Sequence, residues 1–547
     1  MNCMEGRQFV MNKIVNPILR GFHPDASVVK VGSDYYLATS TFEWMPGVEI
    51  YHSSDLVNWQ LIANPLQNSL QASLIGNYNS GSIWAPHLSY AEGRFWLLIT
   101  DVKTGSAFKD TLNYVFSSET ITGDWGTPTF VTASGFDPAF FHDDDGRHYI
   151  MSMLFDHRLE QPNFTGLVIQ EFDTKSMQLI GEREHFYTGT DLGVCEGPQL
   201  LKKDGWYYLL CAAGGTGYSH AATVCRSKTI MGPYELSPYH PFLTTKPAPE
   251  NPLQKSGHAS FIEVSSEEWY IVHICSRPLT ERGNCTLGRE TALQKIDWID
   301  DWPRLSNGTM FPDLEVAAPS IAQTSKQQLD FSTQCDFTDP NLPDYFKTLR
   351  QPLVEMSEKI TLSERPGYLR LYGEQSITSL HRQTLIARRW QHFHFKVETE
   401  MEFEAENFQQ MAGLVLFYDT DNWHYLQVSY DERLQSKVIQ VETARVHQFT
   451  YRSERIAIPS DKAIRLAVKV DRDQAQFFYG IGNGDMHPIG EILEADHLSD
   501  DYIKANGKLA FTGAMLGICA QDFDCHRSFA DFNYFNYLEN HTKEAKK

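Results

Sequence analysis

The chain is short of positive charge, paired cysteines and long apolar runs, and each shortage removes a class of function. Lysine plus arginine number 47 against 69 aspartate plus glutamate, a net charge of −22. Such a surface repels polyphosphates and anionic lipid, so nucleic acid and membrane are not expected as partners. No segment approaches the roughly 20 consecutive apolar residues of a transmembrane helix. The opening MNCMEGRQFVMNKIVNP has no apolar stretch typical of a secretion signal, which makes the cytoplasm the expected compartment. A second methionine at position 11 also raises the expectation that residues 1–10 are an upstream extension. The nine cysteines are odd in number and scattered without a CxxC pair, which argues against a zinc site or a disulfide framework. Stripes of 3.6-residue period are scarce in the first half. Aromatic residues, by contrast, make up 13% of the chain and include 11 tryptophans, and such rings are natural platforms for sugars.

The 547 residues exceed one ordinary core and predict two or more domains. Five segments of the first half share one pattern: a polar or aromatic lead residue, two small residues or prolines, an apolar run, a turn and an aromatic-rich strand. They begin at Asp25, Trp84, Asp137, Glu196 and His258, spaced 59, 53, 59 and 62 residues apart. Their turns carry Gly or acidic residues, as in Asp145-Gly146 and Asp204-Gly205, which suits β-hairpins. Five all-β units of this length predict a five-bladed β-propeller over 12–315. Equivalent positions of the blades would bring the five lead residues to one axis. The pattern stops after Trp302. Residues 316–330 lack aromatics and read as a linker. From 331 to 537, alternation such as Phe393, Phe395, Val397, Thr399, Met401 and Phe403 against polar neighbours predicts a jelly-roll-like β-sandwich. The final HTKEAKK reads as a frayed tail. The fold class is therefore all-β.

Three carboxylates on one axis suit glycoside hydrolysis, which needs one protonated and one ionised carboxyl. A third carboxylate beside the acid raises its pKa by like-charge repulsion. Asp25, Asp137 and Glu196 can fill these roles, with Trp84 as a wall for a sugar face. A calcium-binding or purely structural cluster is the alternative reading of the same residues. The loop His142 to Gly146 (HDDDG) also resembles a cation loop, but a hairpin turn accounts for it without an ion.

These residues sit in longer motifs. NPILRGFHPDASVVKVGSDYYLATSTFEWMPGVEIYHSSDLVNW, SIWAPHLSY, GFDPAFFHDDDGRHYI, CEGPQL and TLGRETALQKIDW resemble glycoside hydrolase family 43, specifically its β-xylosidases. PGYLRLYG, LIARRWQHFHF, AGLVLFYDTDNWHYL, FTGAMLG and DFNYFNY resemble the sandwich those enzymes append, so the likeness runs from about residue 12 to 537. The resemblance implies an inverting hydrolase with Asp25 as general base, Glu196 as general acid and Asp137 as modulator of the acid. It implies Arg289 as a substrate-binding arginine and Phe42 and Trp84 as walls of a single-sugar subsite. His258 matches a histidine that faces a central metal or water cluster in some members, so no cofactor is required but a calcium beside it is an open expectation. Met515, in FTGAMLG, stands where relatives commonly carry Phe in a loop thought to close the pocket. The expected activity is exo-cleavage of β-1,4-xylooligosaccharides to D-xylose, with α-L-arabinofuranosidase action as companion or main activity. A non-catalytic carbohydrate-binding protein is the rival from another class. The resemblance also implies a homo-oligomer.

Overall fold

The computed structural model describes residues 13–540, apart from 106–107, 323–325 and 447. Residues 1–12, which include the stretch expected to be an extension, and the terminal HTKEAKK lie outside the described residues. Each of the five sequence repeats forms an antiparallel sheet. In the first, Ser27–Val31, Asp34–Thr39, Glu49–Ser53 and Gln60–Ala63 pair in that order. The second runs through Ser82–Ala91, Arg94–Val102, Thr111–Ser118 and Thr129–Thr132, and the third through Ala139–His142, His148–Phe155, Phe164–Asp173 and Gln178–Tyr187. The fourth contains Cys195–Lys203, Trp206–Ala213 and Ala221–Ser227, with two short outer strands. The fifth is Gln254–Ser265, Glu268–Ser276, Glu290–Ile299 and Trp302–Leu305. Val, Ile, Tyr, Phe and Trp fill these strands because branched and aromatic side chains pack well on a pleated surface. Their buried faces meet between neighbouring blades, as where Leu88, Leu97 and Phe116 join Ala38 and Ile50.

The chain closes the ring from its N-terminal side. Asn16 donates from Nδ2 to the Leu293 carbonyl at 2.8 Å and accepts from the Leu293 N–H at 2.8 Å, fastening the start of the described chain to the fifth blade. Lys13–Val15 pairs with Glu315–Ala317. The expected linker 316–330 is consequently no loose tether. Gln327 bonds both the N–H and the carbonyl of Val15, at 2.8 and 2.7 Å, and Ala322 is fully buried.

The second half is a sandwich of an eight-stranded and a nine-stranded sheet. The alternation from His394 to Phe403 comes out as read: Phe395, Val397, Thr399, Met401 and Phe403 are buried while Lys396 and Glu402 are exposed. The two halves are joined through the backbone as well as by packing. Trp44–Met45, from the first blade, pairs with Lys347–Leu349 and completes one edge of the nine-stranded sheet. Beside it, Arg389 of the sandwich grips Glu49 of the propeller at 3.0 and 2.7 Å, and Lys347 Nζ lies 2.7 Å from the same carboxylate. Among the described residues, no helix is long and apolar enough to cross a membrane.

Candidate active site

Within or just before each blade's innermost strand, a residue in the left-handed region stands at the same place in the repeat: Asp25 (φ 57°), Ala85 (27°), Asp137 (53°), Gly197 (55°) and His258 (42°). For a residue with a Cβ this conformation costs about 1–2 kcal/mol, so its recurrence at one place in the repeat marks a demanding backbone turn. The five residues line a narrow channel together with Ser27, His87 and Gln199. The structure thus refines the repeat: in the second and fourth blades the equivalent positions are Ala85 and Gly197. Trp84 and Glu196 each stand one residue earlier, where a bulge separates them from His87 and Gln199 in the pairing register.

Above the channel opens a pocket of about 600 Å³. It is lined by Asp25, Trp84, Asp137, Glu196 and His258, the five lead residues of the sequence pattern, and by Phe42 and Arg289. Seven of the eight expected site residues therefore meet in one place. Met515 does not. It opens the strand Met515–Asp522, is fully buried and does not line the pocket; it belongs to the apolar cluster that holds Leu385, Phe417 and Trp423 along with the pocket walls Phe42 and Trp84. The pocket residue from the FTGAMLG motif is its first one, Phe511, which lies in the loop before that strand, with Leu509 beside it. Lys109, Phe136, Thr216 and His220 also line the pocket and were not singled out from sequence. The phenylalanine at the head of the motif was the available signal for Phe511.

Phe511, from the sandwich half, is held by groups of the propeller. Its N–H donates to Ser80 Oγ at 3.1 Å, and its carbonyl accepts from Arg289 Nε and an Arg289 terminal nitrogen at 3.1 and 3.0 Å. Its ring lies 5.2 Å from that of Trp84 and 6.1 Å from that of Phe42. The indole of Trp84 is fixed by a bond from Nε1 to the Ser80 carbonyl at 2.9 Å. The short helix Asp500–Ala505 anchors the loop, because Lys255 of the propeller, wholly buried, lies 2.5 Å from Asp501 and 3.4 Å from Asp500. Lys504 reaches Thr216 Oγ1 at 2.9 Å and stands 4.8 Å from the Phe511 ring.

The charged groups are arranged unequally. Arg289 donates to both oxygens of Asp25, at 2.9 and 3.3 Å, Ser40 Oγ donates at 2.7 Å, and His258 Nδ1 lies 3.4 Å away. Burial pushes the Asp25 carboxyl up, but Arg289, His258 and Ser40 together outweigh it and hold the group well below the ordinary carboxylate range. Glu196 lacks such cover. Burial first, and the charge of Asp137 second, push it up to about 8. Asp137 is pushed up to about 6, mainly by burial, with His258 and Arg289 opposing the shift. Burial works against a charged His258, yet its bond to Asp25 and the charges of Asp25, Asp137 and Glu196 raise it above its usual value. Near neutral pH the pocket therefore holds Asp25 ionised and Glu196 protonated, with Asp137 between them in character.

For a cation beside His258, the donor set is thin. Nδ1 is engaged with Asp25 and Asp25 with Arg289, whereas calcium takes six to eight oxygen ligands. Among the described residues, no three histidine, cysteine or carboxylate ligand atoms gather there. The HDDDG loop forms the hairpin turn between Ala139–His142 and His148–Phe155, with Asp143 bonded to Lys202 Nζ at 2.6 Å and Tyr207 Oη at 2.7 Å.

The comparisons with known proteins agree with this geometry. Residues 14–303 match Glycosyl hydrolases family 43, and residues 334–538 match the Beta xylosidase C-terminal Concanavalin A-like domain. A beta-xylosidase of Bacillus subtilis (strain 168) is 46% identical over 96% of this chain and 100% of its own length. Xylosidase/arabinosidase 43B of Humicola insolens is 42% identical over 96% and 98%. The crystal structure of xylan beta-1,4-xylosidase from Bacillus halodurans C-125 superposes with a TM-score of 0.92 at 44% identity, covering 96% of this chain and all of that one. A propeller with three differently charged carboxylates and a sandwich that reaches over them thus has a family to which it answers throughout its length: the chain belongs to glycosyl hydrolase family 43.

Proposed function

We propose that the protein is an exo-acting, inverting β-xylosidase that releases D-xylose from the non-reducing ends of β-1,4-xylooligosaccharides. The observation that carries this reading is the opposed charge state of Asp25 and Glu196 in one pocket. Asp25 takes a proton from a water as that water's oxygen bonds to the anomeric carbon. Glu196 gives its proton to the glycosidic oxygen as the carbon–oxygen bond breaks, so one displacement inverts the anomeric centre. Asp137 keeps Glu196 protonated through its charge, and Arg289 orients Asp25 while presenting donors to sugar hydroxyls. Trp84, Phe42 and Phe511 form the apolar walls, and the Phe511 loop, standing at the pocket, favours a chain end over the middle of a chain. The reaction consumes only glycoside and water. A calcium in the channel beside His258 would draw most of its ligands from water.

A second reading, cleavage of α-L-arabinofuranosides in the same pocket, is favoured by the likeness to the Humicola insolens xylosidase/arabinosidase. The retention of all three carboxylates weighs against a binding-only protein. A proton NMR time course on xylobiose tests the proposal. It should show α-xylose first, with the β-anomer growing in by mutarotation. β-Xylose as the first product would overturn the inverting mechanism, and cleavage of arabinofuranosides alone would replace the substrate.

A further inference from the structure

A second cluster of ligating side chains lies outside the lining of the sugar pocket, where the linker meets the sandwich. Asp330 ends the linker, His392 follows the strand Thr384–Arg389, and Glu539 ends the last strand, Phe529–Glu539. One ligand atom from each lies within 4.8 Å of the others. His392 is only 4% exposed, and its Nε2 has no hydrogen-bond partner. Its Nδ1 sits 2.9 Å from Tyr537 Oη, which steadies the ring and leaves Nε2 as the nitrogen facing the carboxylates. Nε2 and Glu539 Oε2 are 3.4 Å apart.

That spacing has a chemical meaning. Zinc bonds of about 2.0–2.2 Å in tetrahedral geometry set neighbouring ligand atoms roughly 3.3–3.6 Å apart. The His392–Glu539 pair already spans such an edge, and the exposed Asp330 offers a carboxylate oxygen within 4.8 Å of both as the third ligand. One imidazole with two carboxylates selects a transition ion over calcium or magnesium, which prefer all-oxygen sets.

We propose that Asp330, His392 and Glu539 bind one divalent transition metal, Zn²⁺ being the best match, which fastens the linker to the last strand of the sandwich. Water completes the coordination. Arg20, whose charge acts on both His392 and Glu539, opposes the ion and limits the affinity. The site is structural: it joins segments about 200 residues apart in sequence and contributes nothing to the sugar pocket.

The full-length protein, stripped with EDTA and dialysed, is titrated with ZnCl2 by calorimetry and then melted at increasing zinc. One Zn²⁺ should bind per chain and Tm should climb with zinc concentration, while CaCl2 does neither. Asp330→Asn and His392→Gln should each weaken zinc binding by about 10-fold or more and remove the Tm rise. Because Asp330 is exposed, Asp330→Asn should fold and hydrolyse substrate as the parent does, so it decides the matter if His392→Gln fails to fold. No zinc bound at millimolar concentration, or equal affinity in the parent and Asp330→Asn, would overturn the proposal.

Discussion

The propeller side and the sandwich side of the pocket are made of different materials. From the propeller come the charged or titratable Asp25, Asp137, Glu196, His258 and Arg289, all at most 9% exposed, together with the apolar Phe42, Trp84 and Phe136. From the sandwich come Leu509 and Phe511, apolar side chains, and one backbone carbonyl that holds Arg289. Asp25, Asp137 and His258 owe their place to a local device repeated in the blades, a left-handed turn within or just before the innermost strand, and Glu196 directly precedes the corresponding Gly197. The sandwich groups owe theirs to docking, through Lys255 with Asp501 and through Arg389 and Lys347 with Glu49. Charge in this pocket is thus set within the blades, and closure is set by contacts between residues hundreds of positions apart.

Substitutions on the two sides should separate accordingly. The largest effect is expected in the propeller: Glu196→Gln should lower kcat about 10²–10⁴-fold while xylobiose still binds by calorimetry. Equal loss of binding and turnover would break the division between chemistry and closure. Next comes the docking network. Burial pushes Glu49 up, but Arg389, Lys347 and His23 outweigh it and hold the carboxyl well below its ordinary range. A depressed carboxylate contributes stability above its unfolded pKa and loses it as pH falls through the folded value. Glu49→Gln leaves two cations buried without their partner and should cost about 3–5 kcal/mol in urea unfolding. Smaller still is the wall itself: Phe511→Ala should lower kcat/KM about 10-fold, mostly through KM. Met515→Leu, a volume-conserving change in the core, should cost under about 1.5 kcal/mol and leave KM alone. If Met515→Leu moved KM as much as Phe511→Ala, the placement of these two residues would be wrong.

The same division explains what the sequence disclosed. The five hairpins, and the five residues leading them, could be read because each repeat writes its own turn and strand pattern within about 20 residues. The one-residue offset at Ala85 could not, since a left-handed backbone leaves no mark when an alanine occupies it; at Gly197 the glycine itself was the signal. In FTGAMLG, the motif pointed to the right segment, but the change from loop to strand within it decides that Phe511 faces the pocket and Met515 the core. Ser40 on Asp25, the Phe511 carbonyl on Arg289, and Lys255 under the helix are tertiary contacts without periodicity, and no spacing rule reveals them. The pairing of Trp44–Met45 with the sandwich sheet crosses the boundary that composition suggests, for the same reason.

The proposed mechanism turns on burial and the charge of Asp137 together keeping Glu196 protonated at neutral pH. The direct measurement is kcat/KM against pH for the parent and Asp137→Asn. A general acid with a raised pKa works below that value and fails above it, so the parent's activity should fall on the alkaline side near pH 8. Removing the charge of Asp137 lowers the pKa of Glu196, so the alkaline limb of Asp137→Asn should shift to lower pH. A limb that stays in place, or moves upward, would contradict the account.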